Sequence, residues 1–281
     1  MNNITYIDQT TIRHNISFPE LIEKLFHGFN DPQKHSPVRH HHQYQGTTGN
    51  NPSTLLLMPC WEDTKKLGVK LVTVSPENSK QNLPAVQGLY ILFDTNNGKP
   101  LAMFDGVSIT LWRTAATSAL ASKILSKKDS KTLLMIGTGA LAPYLIQAHS
   151  VVQPIEYVMI WGRNYAKAQK LASDLSHLSI EVTAVESLDQ AIPQADIISS
   201  ATLTKAPLIK GKLISSGQHI DLVGSYLPDM READDDLIRK ASIYIDTETA
   251  LIESGDLVVP IKNKMINKNN IKGDLYKICG S

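Results

Sequence analysis

The sequence is short of several things, and each shortage narrows its function. It has two cysteines, Cys60 and Cys279, far apart and at no metal or redox spacing, so a reducing cytoplasm is the expected compartment. It has no excess of either charge: 28 Lys and Arg face 27 Asp and Glu, for a formal net charge of +1. That balance gives no reason to propose nucleic acid or an anionic membrane as a partner. No apolar run approaches membrane-spanning length. The start, Met1-Asn-Asn-Ile-Thr-Tyr6, lacks a basic region followed by an apolar core, so no signal peptide is expected. What remains is an ordinary soluble composition, 42% hydrophobic and 20% charged, over 281 residues. That length suits two domains better than one core.

The most informative stretch runs from Lys131 to Arg163. Lys131-Thr-Leu-Leu-Met-Ile136 reads as a strand, Gly137-Thr-Gly-Ala-Leu-Ala142 as a glycine-rich turn, and the apolar run to Val152 as a helix. A second strand, Tyr157-Val-Met-Ile-Trp161, ends at Gly162-Arg163. This is the βαβ unit that binds dinucleotides. Gly137 permits the tight turn, Gly139 lets backbone approach a pyrophosphate, and Ala142 is small enough for close helix–strand packing. Pro143 falls in the helix's first turn, where a missing N–H costs little. An acidic residue commonly ends the second strand and binds a ribose 2′-hydroxyl; here Arg163 stands instead. It suits a 2′-phosphate or is a solvated strand-end cation.

Upstream, Ile4–Ile7 reads as a short strand and Phe18–Phe29 as an amphipathic helix begun by Ser17-Phe-Pro-Glu20. Strands follow at Thr54–Met58, Leu67–Val74, Gly88–Phe93 and Pro100–Phe104, with a hairpin turn at Asn96-Asn-Gly98. This section is strand-rich and mostly antiparallel. A helix at Arg113–Leu125 leads into the βαβ unit. Helices at Tyr165–Leu175, Leu188–Ile192 and Arg231–Lys240 then alternate with strands at Ile180–Val185, Asp196–Ser200, His219–Val223 and Ile243–Asp246. The alternation predicts a doubly wound, parallel α/β sheet beside a strand-rich α+β domain. Lys262–Lys272 reads as a solvated Lys/Asn-rich segment.

Three cations stand out. Arg39 follows Pro37 in a loop, Lys70 lies mid-strand between Val69 and Leu71, and Arg113 opens a helix. Lys70 either alternates out to solvent or converges with the arginines on a carboxylate-bearing substrate, a convergence that spacing alone does not show. His40 and His42 share a face of an extended chain, but no carboxylate or cysteine stands at ligand spacing. A polar pocket wall is favoured over a metal site, and no metal is expected.

Taken together, Pro37-Val-Arg39, Gly68-Val-Lys-Leu-Val-Thr-Val74, Pro76-Glu-Asn78, Arg113-Thr-Ala-Ala-Thr-Ser-Ala119, the glycine-rich turn, Ser200-Ala-Thr202 and Gly224-Ser-Tyr-Leu-Pro-Asp-Met-Arg-Glu232 resemble the ornithine cyclodeaminase/μ-crystallin family. Arg39-His-His-His42, Leu55-Leu-Leu-Met-Pro59 and Gly224–Asp234 are similar to its bacterial Δ1-pyrroline-2-carboxylate reductases. The resemblance implies a homodimer with a substrate-binding and dimerisation domain at residues 1–112, joined by 255–281, and a Rossmann domain at 113–254. It places Arg39 and Ser225 on the substrate, with Lys70, Arg113 and Glu253 as catalytic residues. It places Asn78, Thr114, Gly137, Gly139, Ala140, Leu141, Gly162, Arg163 and Thr202 around NADPH, with NADH as the alternative cofactor.

Two departures refine this. Ornithine cyclodeaminases carry an aspartate where this chain has Tyr226, which disfavours a diamine substrate. The family also continues past Gly273-Asp-Leu-Tyr276 with a helix-forming segment, whereas this chain ends at Ser281. An exposed apolar strip and lower stability are the corresponding expectations. The leading expectation is reduction of the C=N bond of Δ1-pyrroline-2-carboxylate, and of its six-membered homologue, to L-proline or L-pipecolate. The alternatives are ornithine cyclodeaminase and a non-catalytic, crystallin-like nucleotide binder.

Overall fold

Two hydrophobic periodicities, alternation before Asp105 and buried strand–helix repeats after Lys131, build two kinds of sheet. The computed structural model describes residues 4–46, 52–81 and 83–280; Met1–Asn3 and Ser281, on which the readings of the two ends draw, lie outside them. The chain divides into two units, Met1–Ser17 with Asp31–Arg113, and Phe18–Asn30 with Thr114–Ser281.

The first unit contains β1 (Thr5–Ile7), α1 (Gln9–Asn15), β2 (Lys34–His35), β3 (His40–Tyr44), β4 (Ser53–Glu62), β5 (Lys66–Val74), β6 (Val86–Phe93) and β7 (Pro100–Asp105). β4 to β7 form an antiparallel meander, β2 and β3 both pair with β4, and β1 adds parallel to β7. The expected hairpin closes at Gly98, whose φ of 72° needs glycine, with Asp94 N–H donating to the Lys99 carbonyl at 2.9 Å.

The second unit begins with α2 (Phe18–Phe29), and the division falls within α3 (Gly106–Leu125). There follow β8 (Thr132–Ile136), α4 (Ala142–Val152), β9 (Tyr157–Trp161), α5 (Tyr165–Asp174), β10 (Glu181–Val185), α6 (Leu188–Ala191), β11 (Ile197–Ser200) and β12 (His219–Leu222). The sheet is wholly parallel in the order β10-β9-β8-β11-β12, the Rossmann-type arrangement. Its centre is dry: Leu133, Leu134, Met135 and Ile136 of β8 are fully buried. Beyond it lie α7 (Asp235–Lys240), β13 (Ile243–Ile245), α8 (Ala250–Glu253), α9 (Gly255–Lys262), β14 (Ile271–Asp274) and α10 (Leu275–Cys279).

Several expectations change. Residues 255–281 belong with the parallel-sheet unit rather than the strand-rich section, because β14 pairs with β13 and the Tyr276 ring packs edge-on against Phe29 of α2, with centroids 5.1 Å apart. β13 accordingly leaves the main sheet, and part of the Lys/Asn-rich segment becomes its partner strand. α3 begins seven residues before Arg113, because the Asp105 carboxylate accepts from Ser108 N at 2.7 Å and starts the helix there. Arg113 is therefore mid-helix. α7 starts at Asp235, capped by Asp234, which accepts from Leu237 N at 2.9 Å. No helix among the described residues is long and apolar enough to cross a membrane.

Candidate active site

The glycine-rich turn leaves the buried end of β8. Gly137 has φ 120°, and a Cβ there would stand 2.7 Å from the Ala201 carbonyl oxygen, so the position demands glycine twice over. Its N–H donates to the Trp161 carbonyl at 2.9 Å, tying the turn to the end of β9. Gly139 differs: a Cβ there would meet nothing within 4 Å, which leaves open space for a ligand to approach the backbone. No side chain caps α4. Leu141 holds its N-cap position, Pro143 lies in its first turn, and Ala142 is buried. An α-helix N-terminus without a side-chain cap, reached through an open glycine, suits a pyrophosphate. Gly162 stands close to Thr138, where a Cβ would come within 2.7 Å of its methyl. Arg163 follows, exposed, next to the α5 cap Asn164. The residues present thus fit a dinucleotide.

In the strand-rich unit, register explains the cations. Met58, Lys70, Tyr90 and Phe104 are paired in a row across β4, β5, β6 and β7, so their side chains share one face. Arg39 immediately precedes β3, which pairs with β4, and its positive charge reaches Lys70. Thr110 and Arg113 are three residues apart on α3 and so share a helix face. Thr110 closes the group: Lys70 Nζ donates to its Oγ1 at 3.3 Å. Burial, followed by the positive fields of Arg113 and Arg39, brings the Lys70 ammonium down to about 7. Lys70 is thus a half-buried amine poised near neutrality beside two permanent cations, not a solvated strand residue. Such a group can give or take a proton at physiological pH, while the guanidiniums hold an anion.

The other expected residues are placed as follows. Thr114 continues α3 one residue after Arg113. Asn78 lies in the 3-10 turn Pro76–Gln81, where its side-chain amide donates to the Pro84 carbonyl at 2.9 Å and braces the loop. Glu253 ends α8, partly buried. Ser225 is committed elsewhere: its hydroxyl donates to the Met230 carbonyl at 2.6 Å and accepts from Ser254 Oγ at 3.1 Å and Asp256 N at 3.4 Å. One donor and two acceptors exhaust a hydroxyl, so a substrate contact by Ser225 requires breaking this set. Thr202 is bound twice to Glu232, a residue without a role in the sequence reading. Glu232 and Asp256 are both buried, and the backbone N–H groups of Glu232 and Ala233 donate to Asp256 Oδ1 at 2.9 Å each. Burial pushes the Glu232 carboxyl up to about 7, against the pull of the donors around it. Nothing local marks Glu232, which stands in the charged run Asp229-Met-Arg-Glu-Ala-Asp-Asp-Asp236.

Comparison with known proteins gives this geometry its context. The ornithine cyclodeaminase/mu-crystallin family model matches residues 5–280. Delta(1)-pyrroline-2-carboxylate reductase of Colwellia psychrerythraea is 39% identical over 277 residues, covering 97% of this chain and 87% of its own. Protein SAR DEFICIENT 4 of Arabidopsis thaliana is 44% identical over 278 residues, covering 93% and 84%. The solved Thermococcus litoralis Delta(1)-pyrroline-2-carboxylate reductase, in complex with NADH and L-proline, matches at a TM-score of 0.92 and 33% identity, covering 98% of this chain and 86% of its own. The chain belongs to the ornithine cyclodeaminase/mu-crystallin family.

Proposed function

We propose that this protein reduces the C=N bond of a cyclic imino acid, Δ1-pyrroline-2-carboxylate, to L-proline with a nicotinamide dinucleotide. Its six-membered homologue is the second substrate, giving L-pipecolate. The observation that carries the chemistry is Lys70, held near neutrality by burial beside Arg113 and Arg39. When bound, the reduced dinucleotide supplies the hydride for the imine carbon. Arg39 and Arg113 hold the substrate carboxylate through charge-assisted bonds. Lys70 holds the proton that the ring nitrogen takes up, which makes the C=N carbon more electrophilic. Glu253 on α8 is kept as a second proton-handling group. Identity of 39% to one relative of this activity, and of 33% to another solved with NADH and L-proline, supports the reading. A cytoplasmic homodimer is the proposed working form.

The test is a spectrophotometric assay of NADPH and NADH oxidation with a panel of cyclic imino acids, run beside ornithine with the oxidised cofactor and an ammonia readout. Oxidation driven by the imine is the expected result. Ammonia release from ornithine without imine reduction would replace the proposal by the cyclodeaminase reading.

Two variants extend the test. Arg113→Ala should raise KM for the imine about tenfold or more, the loss of one charge-assisted contact, while dinucleotide Kd stays put. An unchanged KM would mean that this arginine does not bind the substrate. Arg163 at the end of β9 leads us to propose NADPH as the preferred cofactor. Arg163→Asp should then weaken NADPH binding about tenfold and narrow or reverse its advantage over NADH. Equal affinities for the two cofactors in the unsubstituted protein would remove that proposal.

A further inference from the structure

Glu232 does more than fill a buried position. The sheet order β10-β9-β8-β11-β12 means that the chain winds outward from β8 through β9 and β10, then returns to the other side with β11 and β12. The reversal opens a crevice outside the carboxyl ends of β8 and β11, where such sheets take ligands. The glycine-rich turn follows β8, and Ala201-Thr202 follows β11. They face each other directly: a Cβ on Gly137 would lie 2.7 Å from Ala201 O and 3.5 Å from the Thr202 methyl. A dinucleotide with its phosphates at the α4 N-terminus and its adenosine half toward β9 and Arg163 leaves its nicotinamide half on the Thr202 side.

Glu232 organises that side. Its Oε1 accepts from Ser200 Oγ at 2.5 Å, Thr202 N at 2.7 Å and Thr202 Oγ1 at 2.7 Å, and its Oε2 accepts from Gly224 N at 2.7 Å. One fully buried carboxylate therefore clamps the residues that follow both β11 and β12. Asp256 in turn fixes the Glu232 backbone. The two amides can only donate, so the carboxylate must face them as an acceptor. The Thr202 hydroxyl beside them then spends its single hydrogen on Glu232. Its remaining lone pairs can only accept.

We propose that Glu232 is a positioning residue that fixes the Thr202 hydroxyl as an acceptor for an N–H of the nicotinamide carboxamide. This rests on the dinucleotide site proposed above. It makes the protein selective for a carboxamide on the pyridine ring, the group that carries the N–H, through a carboxylate that does not itself touch the ligand.

The test compares direct binding of NADH and of its 3-acetylpyridine analogue, in which a methyl replaces the –NH2, at a pH above 7 where the carboxylate is ionised. The unsubstituted protein should favour NADH by about three- to tenfold, the worth of one neutral hydrogen bond. Glu232→Leu, checked for folding by circular dichroism, removes the acceptor that takes the Thr202 hydrogen and should lessen the preference. Thr202→Val removes only the hydroxyl and should abolish it. If Glu232→Leu does not fold, Thr202→Val decides alone. Loss of the preference in Thr202→Val supports the inference; a preference kept by Thr202→Val, or left at full size by folded Glu232→Leu, overturns it. Equal binding of both nucleotides by the unsubstituted protein overturns this inference only, whereas binding of neither overturns the dinucleotide site itself.

Discussion

Lys70→Met should lower kcat/KM for the imine about 10²- to 10⁴-fold, the range for loss of a placed general acid, and should at the same time make the protein melt higher. Both effects come from one fact, that an amine ordinarily titrating at 10.5 is brought down to about 7 by burial and by Arg113 and Arg39. In the unfolded chain Lys70 keeps its proton up to the ordinary value. The folded-state value is depressed, so the stability linked to it is complete only above the unfolded pKa and is lost as pH falls through the folded one. Near neutrality and below, the folded protein thus carries the full cost of a cation in a half-buried, cation-rich place. Methionine has a similar stem and no charge, so it should raise Tm at about pH 6, with the advantage shrinking toward about pH 10. For the enzyme as it stands, kcat/KM should be high while Lys70 is protonated and fall as pH rises past about 7. Lys70→Arg keeps the charge but cannot release a proton near neutrality, so it should not restore the rate. Near-normal turnover in Lys70→Met would remove Lys70 as proton donor, and an unchanged or lower Tm at acid pH would contradict its burial as a cation.

The sequence carried the nucleotide side of the fold further than the substrate side, for a physical reason. Gly137, Gly139, Ala142 and Pro143 are bound to one another by local backbone geometry, so their roles can be read within six or seven consecutive residues. Lys70 could not be read that way. Alternation says that it opposes Val69 and Leu71 but not which face is covered; that is decided by α3, whose Thr110 lies 40 positions away and closes over it. The α3 start was missed for a related reason. Gly106-Val-Ser-Ile-Thr-Leu-Trp112 opens with glycine and holds Val107, Ile109 and Thr110, weak helix formers, so no helix is expected before Arg113; the Asp105 cap starts it earlier. The set that holds Ser225 is equally hidden, since besides the Met230 carbonyl five residues on it needs Ser254 and Asp256, 29 and 31 residues distant. The closing strand β14 hid in a Lys/Asn-rich segment for the same kind of reason, since what makes it a strand is pairing with β13. Glu232 closes the stretch Gly224-Ser-Tyr-Leu-Pro-Asp-Met-Arg-Glu232. Its meaning depends on Ser200, Thr202 and Gly224 meeting at one point, which only the parallel sheet arranges.

The two glycines of the turn should fail in opposite ways when each is changed to alanine. At Gly137 the fold itself resists. A φ of 120° lies where L-residues are strained, and the new methyl would stand 2.7 Å from the Ala201 carbonyl oxygen, a backbone atom that cannot swing aside. Rotating the residue out of that conformation would break the N–H bond to Trp161 that joins the ends of β8 and β9. Gly137→Ala should therefore destabilise by about 2–4 kcal/mol, read as a lower Tm, and should weaken dinucleotide binding as a consequence of the distorted turn. At Gly139 the fold has no objection, because a methyl would meet nothing within 4 Å and the φ is not left-handed. Gly139→Ala should melt within about 0.5 kcal/mol of the unsubstituted protein, as surface changes do. If a pyrophosphate approaches the backbone there, the methyl occupies its approach, and dinucleotide Kd should rise about tenfold or more with Tm unchanged. The discriminating measurement is thus Tm and dinucleotide Kd on both variants together. Normal affinity in Gly139→Ala would place the phosphates elsewhere than over this turn, and a normal Tm in Gly137→Ala would show that the turn relaxes where its geometry says that it cannot.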